Sequence, residues 1–248
     1  MASETDTRPW LPAPMDAWPP DDSEESVVGT NLHQMTITNL RWGINEVART
    51  RATPGQDIPW QALSQTVVTG FERRGGSRYR TMPDVFVYRH PIDQNRGSVA
   101  VGLDGPPALV IEVLSESTYD VDLDLDRGKG YSYARAGVRE YLTLDPTGAF
   151  APEGVRAWRL TGSVYCPWIP DADGRWKSQE IDVAFGLEGA MATVYAHDGR
   201  RMLHEGEVEA ERARAGAELA RRDAELARRD AELVELRRLL TEARGERE

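Results

Sequence analysis

Residues 108–114 read Ala-Leu-Val-Ile-Glu-Val-Leu, apolar at every position except Glu112. A run of this length and β-branched content suits a strand buried on both faces, as in a sheet covered by helices. An ionised carboxylate there is costly unless a cation or hydrogen-bond donors face it. Glu112 therefore predicts a partner, either a metal ion or a core arginine.

Strand-like runs surround this one. QTVVTGF at 65–71, TMPDVFVY at 81–88 and REYLTLD at 139–145 are short, rich in β-branched and aromatic residues, and bounded by turn formers. RGKGYSYARAG at 127–137 precedes the last of them, and its Tyr133 to Gly137 end reads as a helix stopped by glycine. GVRAWRL, SVYCPWI and QEIDVAF extend the strand pattern to about residue 185. Upstream, Leu32, Met35, Leu40, Ile44 and Val47 recur at helical spacing and predict an amphipathic helix over 27–50. A helix, strands, a helix and more strands make a compact α/β sheet domain.

Both ends differ from this core. Residues 1–26 include DAWPPDDSEES and lack any periodicity that would offset ordering, so they read as a flexible acidic arm. From 205 to 248 the chain is rich in Ala, Glu, Arg and Leu, with AELARRD at 217–223 and again at 224–230. Ala210, Ala213, Ala217, Ala220, Ala224, Ala227, Ala231 and Val234 alternate by three and four, flanked by Leu219, Leu226, Leu233 and Leu240. This is a long helix, either a coiled coil or a single helix held by its own ion pairs. The expected organisation is an arm at 1–26, a domain at 27–204 and a charged helix at 205–248.

The chain has 248 residues, a formal charge of -11 and a pI near 5.0, which excludes a broad basic DNA-gripping surface; any nucleic-acid contact must be local. One cysteine, Cys166, excludes an internal disulfide framework, and no apolar run is long enough to span a membrane. The opening MASETDTRPW lacks a signal-peptide pattern, so a reducing cytoplasm is the expected compartment.

Asp84 opens the apolar part of TMPDVFVY, after a proline that cannot donate to a sheet ladder. Alone, Pro83-Asp84 reads as a turn. On a strand beside Glu112, Asp84 would place two carboxylates on one divalent cation with oxygen ligands. Leu114 should share the face of Glu112 and supplies no charge, so the nearest available cation is Lys129, otherwise an ordinary exposed helix lysine.

These words resemble the PD-(D/E)XK nuclease superfamily and, within it, the Uma-type restriction endonucleases. Pro83-Asp84-Val85 resembles the first acid motif, and Val110-Ile111-Glu112-Val113-Leu114-Ser115 with Ser117 and Thr118 resembles the second. Lys129, Tyr133, Ala136-Gly137-Val138 and Glu140-Tyr141 resemble the helix-borne lysine and the strand after it. The usual superfamily lysine stands two residues after the second acid, whereas this branch moves it to the next helix. The likeness covers about residues 27–190 and is strongest at 82–146. It implies a restriction-endonuclease-like core, a central mixed sheet flanked by helices. It also implies metal-dependent phosphodiester hydrolysis of nucleic acid, DNA in the first place, by a homodimer. Asp84, Glu112 and the backbone carbonyl of Val113 would hold Mg²⁺ or Mn²⁺, and Lys129 would orient water or offset developing charge. His33, in NLHQ, resembles a histidine of the family's first helix, but reads more readily as a satisfied surface histidine. The competing reading is a weak or inactive nuclease fold acting as an interaction module through its C-terminal helix.

Other signals fall away. Gly128-Lys129 is followed by Gly130, so no phosphate loop is present. The four histidines have no metal-ligand spacing, and there is no GxSxG turn. Asp120, Asp122, Asp124 and Asp126 alternate with apolar residues and read as a solvated acidic loop, or as an extra cation site without the glycine and glutamate of an EF-hand. The tryptophans at 42, 60, 158, 168 and 176 read as core residues that otherwise could stack on bases.

Overall fold

The computed structural model describes residues 31–93 and 95–245; the acidic arm at 1–26 lies outside them. Helix α1 (Asn31–Arg51) comes first, followed by β1 (Gln61–Leu63), β2 (Val67–Glu72), β3 (Arg78–Thr81), β4 (Val85–Tyr88) and β5 (Ser98–Ala100). A single turn, α2 (Val101–Asp104), leads to β6 (Leu109–Val113), the strand built from the 108–114 run. Two short helices, α3 (Tyr119–Leu123) and α4 (Lys129–Ala136), cross to β7 (Glu140–Leu144). The remainder is β8 (Val155–Thr161), β9 (Val164–Pro167), β10 (Trp176–Lys177), β11 (Val183–Glu188), β12 (Met191–Ala196) and α5 (Glu205–Gly245).

The central sheet has the order β1-β4-β6-β7-β8-β9. β6 and β7 run parallel through the α3–α4 crossover, while β4 pairs antiparallel with β6 and β8 with β7, so the sheet is mixed. Alternation along β6 explains why its sequence is apolar throughout. Leu109, Ile111 and Val113 join Val85, Val87, Leu142 and Leu144 in one core, covered by α1 through Leu40, Ile44 and Val47 and by β11 and β12 through Phe185 and Val194. Val110, Phe86 and Tyr141 belong to the other core, under Tyr133 of α4 and Val68, Phe71 and Val99 of the small β3-β2-β5 sheet. Glu112 shares a face with Val110, so it looks toward α4.

α4 ends where the sequence predicts, at a left-handed Gly137 whose N–H bonds back to Tyr133 and Ala134. Three features depart from the sequence reading. β12 lies beyond residue 185, paired with β11 through a hairpin that links Glu188 to Met191. The QEIDVAF run becomes a strand only from Val183. Part of the supposed acidic loop at 119–126 is helix α3. Among the described residues, no helix is long and apolar enough to cross a membrane.

α5 is one helix of 41 residues. Arg201 forks onto Glu207 at 2.9 and 3.1 Å, and the His204 N–H donates to the same carboxylate at 2.8 Å, fixing the start of the helix. Beyond this, Glu218, Glu225 and Glu235 pair along the helix with Arg222, Arg229 and Arg238, and Leu219, Leu226 and Leu233 are exposed.

Candidate active site

The antiparallel register of β4 and β6 sets Val85 opposite Ile111, which brings Asp84 to the level of Glu112. The two acids interlock through each other's strand. The Asp84 N–H donates to Glu112 Oε2 at 3.3 Å, and the Val113 N–H donates to Asp84 Oδ2 at 2.8 Å. Two carboxylates are thus held at one end of two adjacent interior strands by main-chain N–H groups. His33, two residues into α1, brings Nε2 to 3.4 Å from Asp84 Oδ2. Burial lowers the His33 pKa, outweighing Asp122, so this contact is a hydrogen bond of a neutral imidazole near pH 7.

Lys129 is the first residue of α4 and its side chain turns inward, 12% exposed. Its Nζ stands 3.3 Å from Glu112 Oε1 and 3.1 Å from Asp122 Oδ1. The glycine before it allows this. A Cβ at residue 128 would lie 2.1 Å from the Val121 backbone oxygen of α3, so only glycine lets α4 begin so close to α3, while one at residue 130 would meet a Leu125 methyl at 2.5 Å that can give way. The structure therefore assembles Asp84, Glu112 and Lys129 in one place. Val113 is present too, by its N–H.

Asp122 is the residue that sequence reasoning missed. Asp120 and Asp126 are exposed, and Asp124 accepts the N–H groups of Asp126 and Arg127, but Asp122 is 1% exposed and faces the ammonium. An acidic loop of alternating Asp offers no signal for which one turns inward. Tyr133 was visible as part of a motif but not by role: its hydroxyl donates to Glu112 Oε1 at 2.5 Å. Glu140, adjacent to Tyr141 in that motif, lies at the other end of β7. It binds Arg159, the Ser178 hydroxyl and the Gln179 N–H and so clips the β10 segment to the sheet.

The electrostatics follow from one ammonium among three carboxylates, which leaves two negative charges uncompensated if all are ionised. Burial, opposed by Lys129 and reinforced by Asp122 and Asp84, pushes the Glu112 carboxyl up to about 8. Burial would lower Lys129, but Glu112 and Asp122 more than reverse it, so the lysine is held as the cation. Tyr133 is pushed far up by burial and by Glu112, and remains a donor. With Glu112 ionised, the surplus of two negative charges on hard oxygens, with Asp84 and Glu112 interlocked across adjacent strands, would fit a divalent cation of the Mg²⁺ class, whose charge would itself favour the ionised carboxylate. Among the described residues no three His, Cys, Asp or Glu side chains converge as a complete metal set, so the remaining ligands would be backbone or water.

A family model described as "Uma2: Putative restriction endonuclease" matches residues 26–184, which contain every residue of this cluster. No curated protein matches the chain.

Proposed function

Because the chain belongs to the Uma2 family, we propose that this cluster hydrolyses phosphodiester bonds of DNA with Mg²⁺ or Mn²⁺. What carries the reading is the interlocked Asp84–Glu112 pair with a buried ammonium beside it. Asp84, Glu112 and the Val113 carbonyl would hold the ion, which when bound supplies Lewis acidity toward a phosphate oxygen and a more acidic water. Lys129 offers a fixed positive charge where the phosphorane would build negative charge, in a pocket where water screens little. The Tyr133 hydroxyl and the Asp84 N–H hold the Glu112 carboxylate at a set angle. With an overall charge of -11 any DNA contact is local, around this end of β4 and β6. Two copies, joined along α5, would present two such sites to a duplex.

The test is cleavage of plasmid and linear DNA by the purified full-length chain with Mg²⁺ or Mn²⁺. Glu112→Gln and Lys129→Met should each slow it by about 100-fold or more, and a chelator should stop it. Mn²⁺ should also raise the melting temperature, an effect absent in Asp84→Ala. No cleavage with either ion, or a Glu112→Gln protein that cuts like its parent, would sink the nuclease reading and leave the interaction-module alternative.

A further inference from the structure

We propose that Asp122, rather than Glu112, is the anchor of the Lys129 ammonium, so that the lysine keeps its position when a cation engages Glu112. Its consequence for cleavage rests on the nuclease reading above, whereas the anchoring itself does not.

The two carboxylates that face Nζ are differently engaged. Glu112 Oε1, 3.3 Å from Nζ, also accepts the Tyr133 hydroxyl, and Oε2 accepts the Asp84 N–H. Both oxygens of Glu112 are therefore shared. Asp122 Oδ1 forms an ion pair with Nζ at 3.1 Å and is a buried oxygen that accepts no hydrogen bond among the described residues, so nothing competes with the ammonium for it. Its backbone is pinned at both ends: the Asp122 N–H donates to the Thr118 carbonyl at 2.9 Å, and the Asp122 carbonyl accepts the Tyr141 hydroxyl at 2.6 Å. Tyr141 stands on β7 and is itself fully buried, so the anchor is tied to the sheet rather than to a loop. The Val121 carbonyl, one residue before Asp122, lies in the close contact with Gly128 that sets where α4 begins. Distance, lack of competition and backbone fixation all favour Asp122. A cation held by Glu112 would withdraw charge from the other side of Nζ and leave this contact intact. By this reasoning Asp122 is a positioning residue.

The chain makes the test direct, because it contains two lysines, Lys129 and the exposed Lys177. In full-length protein labelled with ¹⁵N at lysine Nζ, the buried ammonium of Lys129 should give a slowly exchanging signal distinct from Lys177. Glu112→Gln, which removes the Glu112 carboxylate at any pH, should keep that signal; Asp122→Asn should lose it, and Asp122→Glu should restore part of it. Circular dichroism melting of each variant identifies any that is unfolded, and Asp122→Glu against Asp122→Asn then carries the comparison. Loss of the signal in Glu112→Gln, or its retention in Asp122→Asn, overturns the proposal, since either makes Glu112 an equal or better anchor. For cleavage, Asp122→Asn should lower the single-turnover rate by about tenfold or more with the DNA concentration dependence unchanged, and should add nothing to Lys129→Met. A fall in Mn²⁺ affinity equal to that of Glu112→Gln would instead make Asp122 a metal ligand and overturn the positioning role. Absence of cleavage in the parent would count against the nuclease reading alone, the labelled-lysine result standing apart from it.

Discussion

At position 129 the chain departs from its own habit, since 28 of its 30 basic residues are arginine. A guanidinium is larger, planar and has five donors, whereas the space between Glu112 Oε1 and Asp122 Oδ1 holds one compact ammonium. Lys129→Arg should overpack the pocket, lowering stability by about 1–3 kcal/mol and cleavage by about 100-fold despite the conserved charge; a variant that cuts normally would mean that charge alone matters there. Asp145 offers a second residue-scale prediction. Its oxygens accept the Thr147 hydroxyl and the N–H groups of Thr147, Gly148, Phe150 and Ala151, closing the loop after β7. Burial pushes its carboxyl up, but the Thr147 hydroxyl and these N–H groups outweigh it and leave the pKa below the ordinary value. A lowered folded-state pKa gives stability that is present above the unfolded value near 4 and lost as pH falls through the folded one. Asp145→Asn should therefore lose less melting temperature than the parent between pH 7 and pH 3, while Asp145→Ala should cost about 2–4 kcal/mol at pH 7 through stranded donors. Equal acid sensitivity of Asn and Asp proteins would refute the assignment. Of the site itself, Glu112 was legible because a charge in an apolar strand demands a partner. Asp122 was not, since Asp120, Asp122, Asp124 and Asp126 look alike until α3 turns one of them inward.

Elements reveal themselves in sequence when they are long enough to show a period. α1 showed its helical period, and β4, β6 and β7 sat in apolar or β-branched runs longer than the strands themselves, whereas β1, β3, β5 and β10 span two to four residues each without such a run. β12 has six residues and was missed for another reason: it follows a turn at Gly189, φ 61°, directly after β11, and the pattern reading stopped before the hairpin. The α3–α4 crossover is the element on which the site depends, and its closeness is set by the carbonyl of Val121 against Gly128. Gly128→Ala puts a methyl 2.1 Å from that oxygen and 2.8 Å from the Asp124 carbonyl, so the two helices must separate. The expected cost is about 2–4 kcal/mol in chemical denaturation, with Mn²⁺ binding at Asp84 retained and cleavage reduced because Lys129 moves with its helix. Gly102→Ala, where a Cβ would meet nothing within 4 Å, is the control and should stay within about 0.5 kcal/mol. Equal stability of the two variants would show that the crossover yields easily and does not fix Lys129.

The whole molecule pairs a folded domain with a helix that has almost nothing to pack against. α5 has 41 residues, about 60 Å of helix, yet Leu219, Leu226, Leu233, Val234, Leu236 and Leu239 are all exposed. Intrahelical Glu–Arg pairs make such a helix stable alone, and its alanine positions bury little area, so the contest between a single helix and a pair is close. The seven-residue repeat tips it toward a pair, because alanines at alternating three and four spacing let two backbones approach and bring the flanking leucines over the partner. We predict that the full chain sediments as a dimer with a dissociation constant of about micromolar order. Removal of residues 211–248 keeps the Arg201–Glu207 fork and should give a monomer whose melting temperature lies within about 3 °C of the parent, since among the described residues the cores contain none of α5. Apolar seams resist salt, so the dimer should survive ionic strengths at which Glu–Arg attraction is screened to within about 5 Å. A full chain that sediments as a monomer well above micromolar concentration would make α5 a solitary ion-paired helix. Any cut on both DNA strands would then require two independent encounters, seen as nicked circles accumulating before linear product.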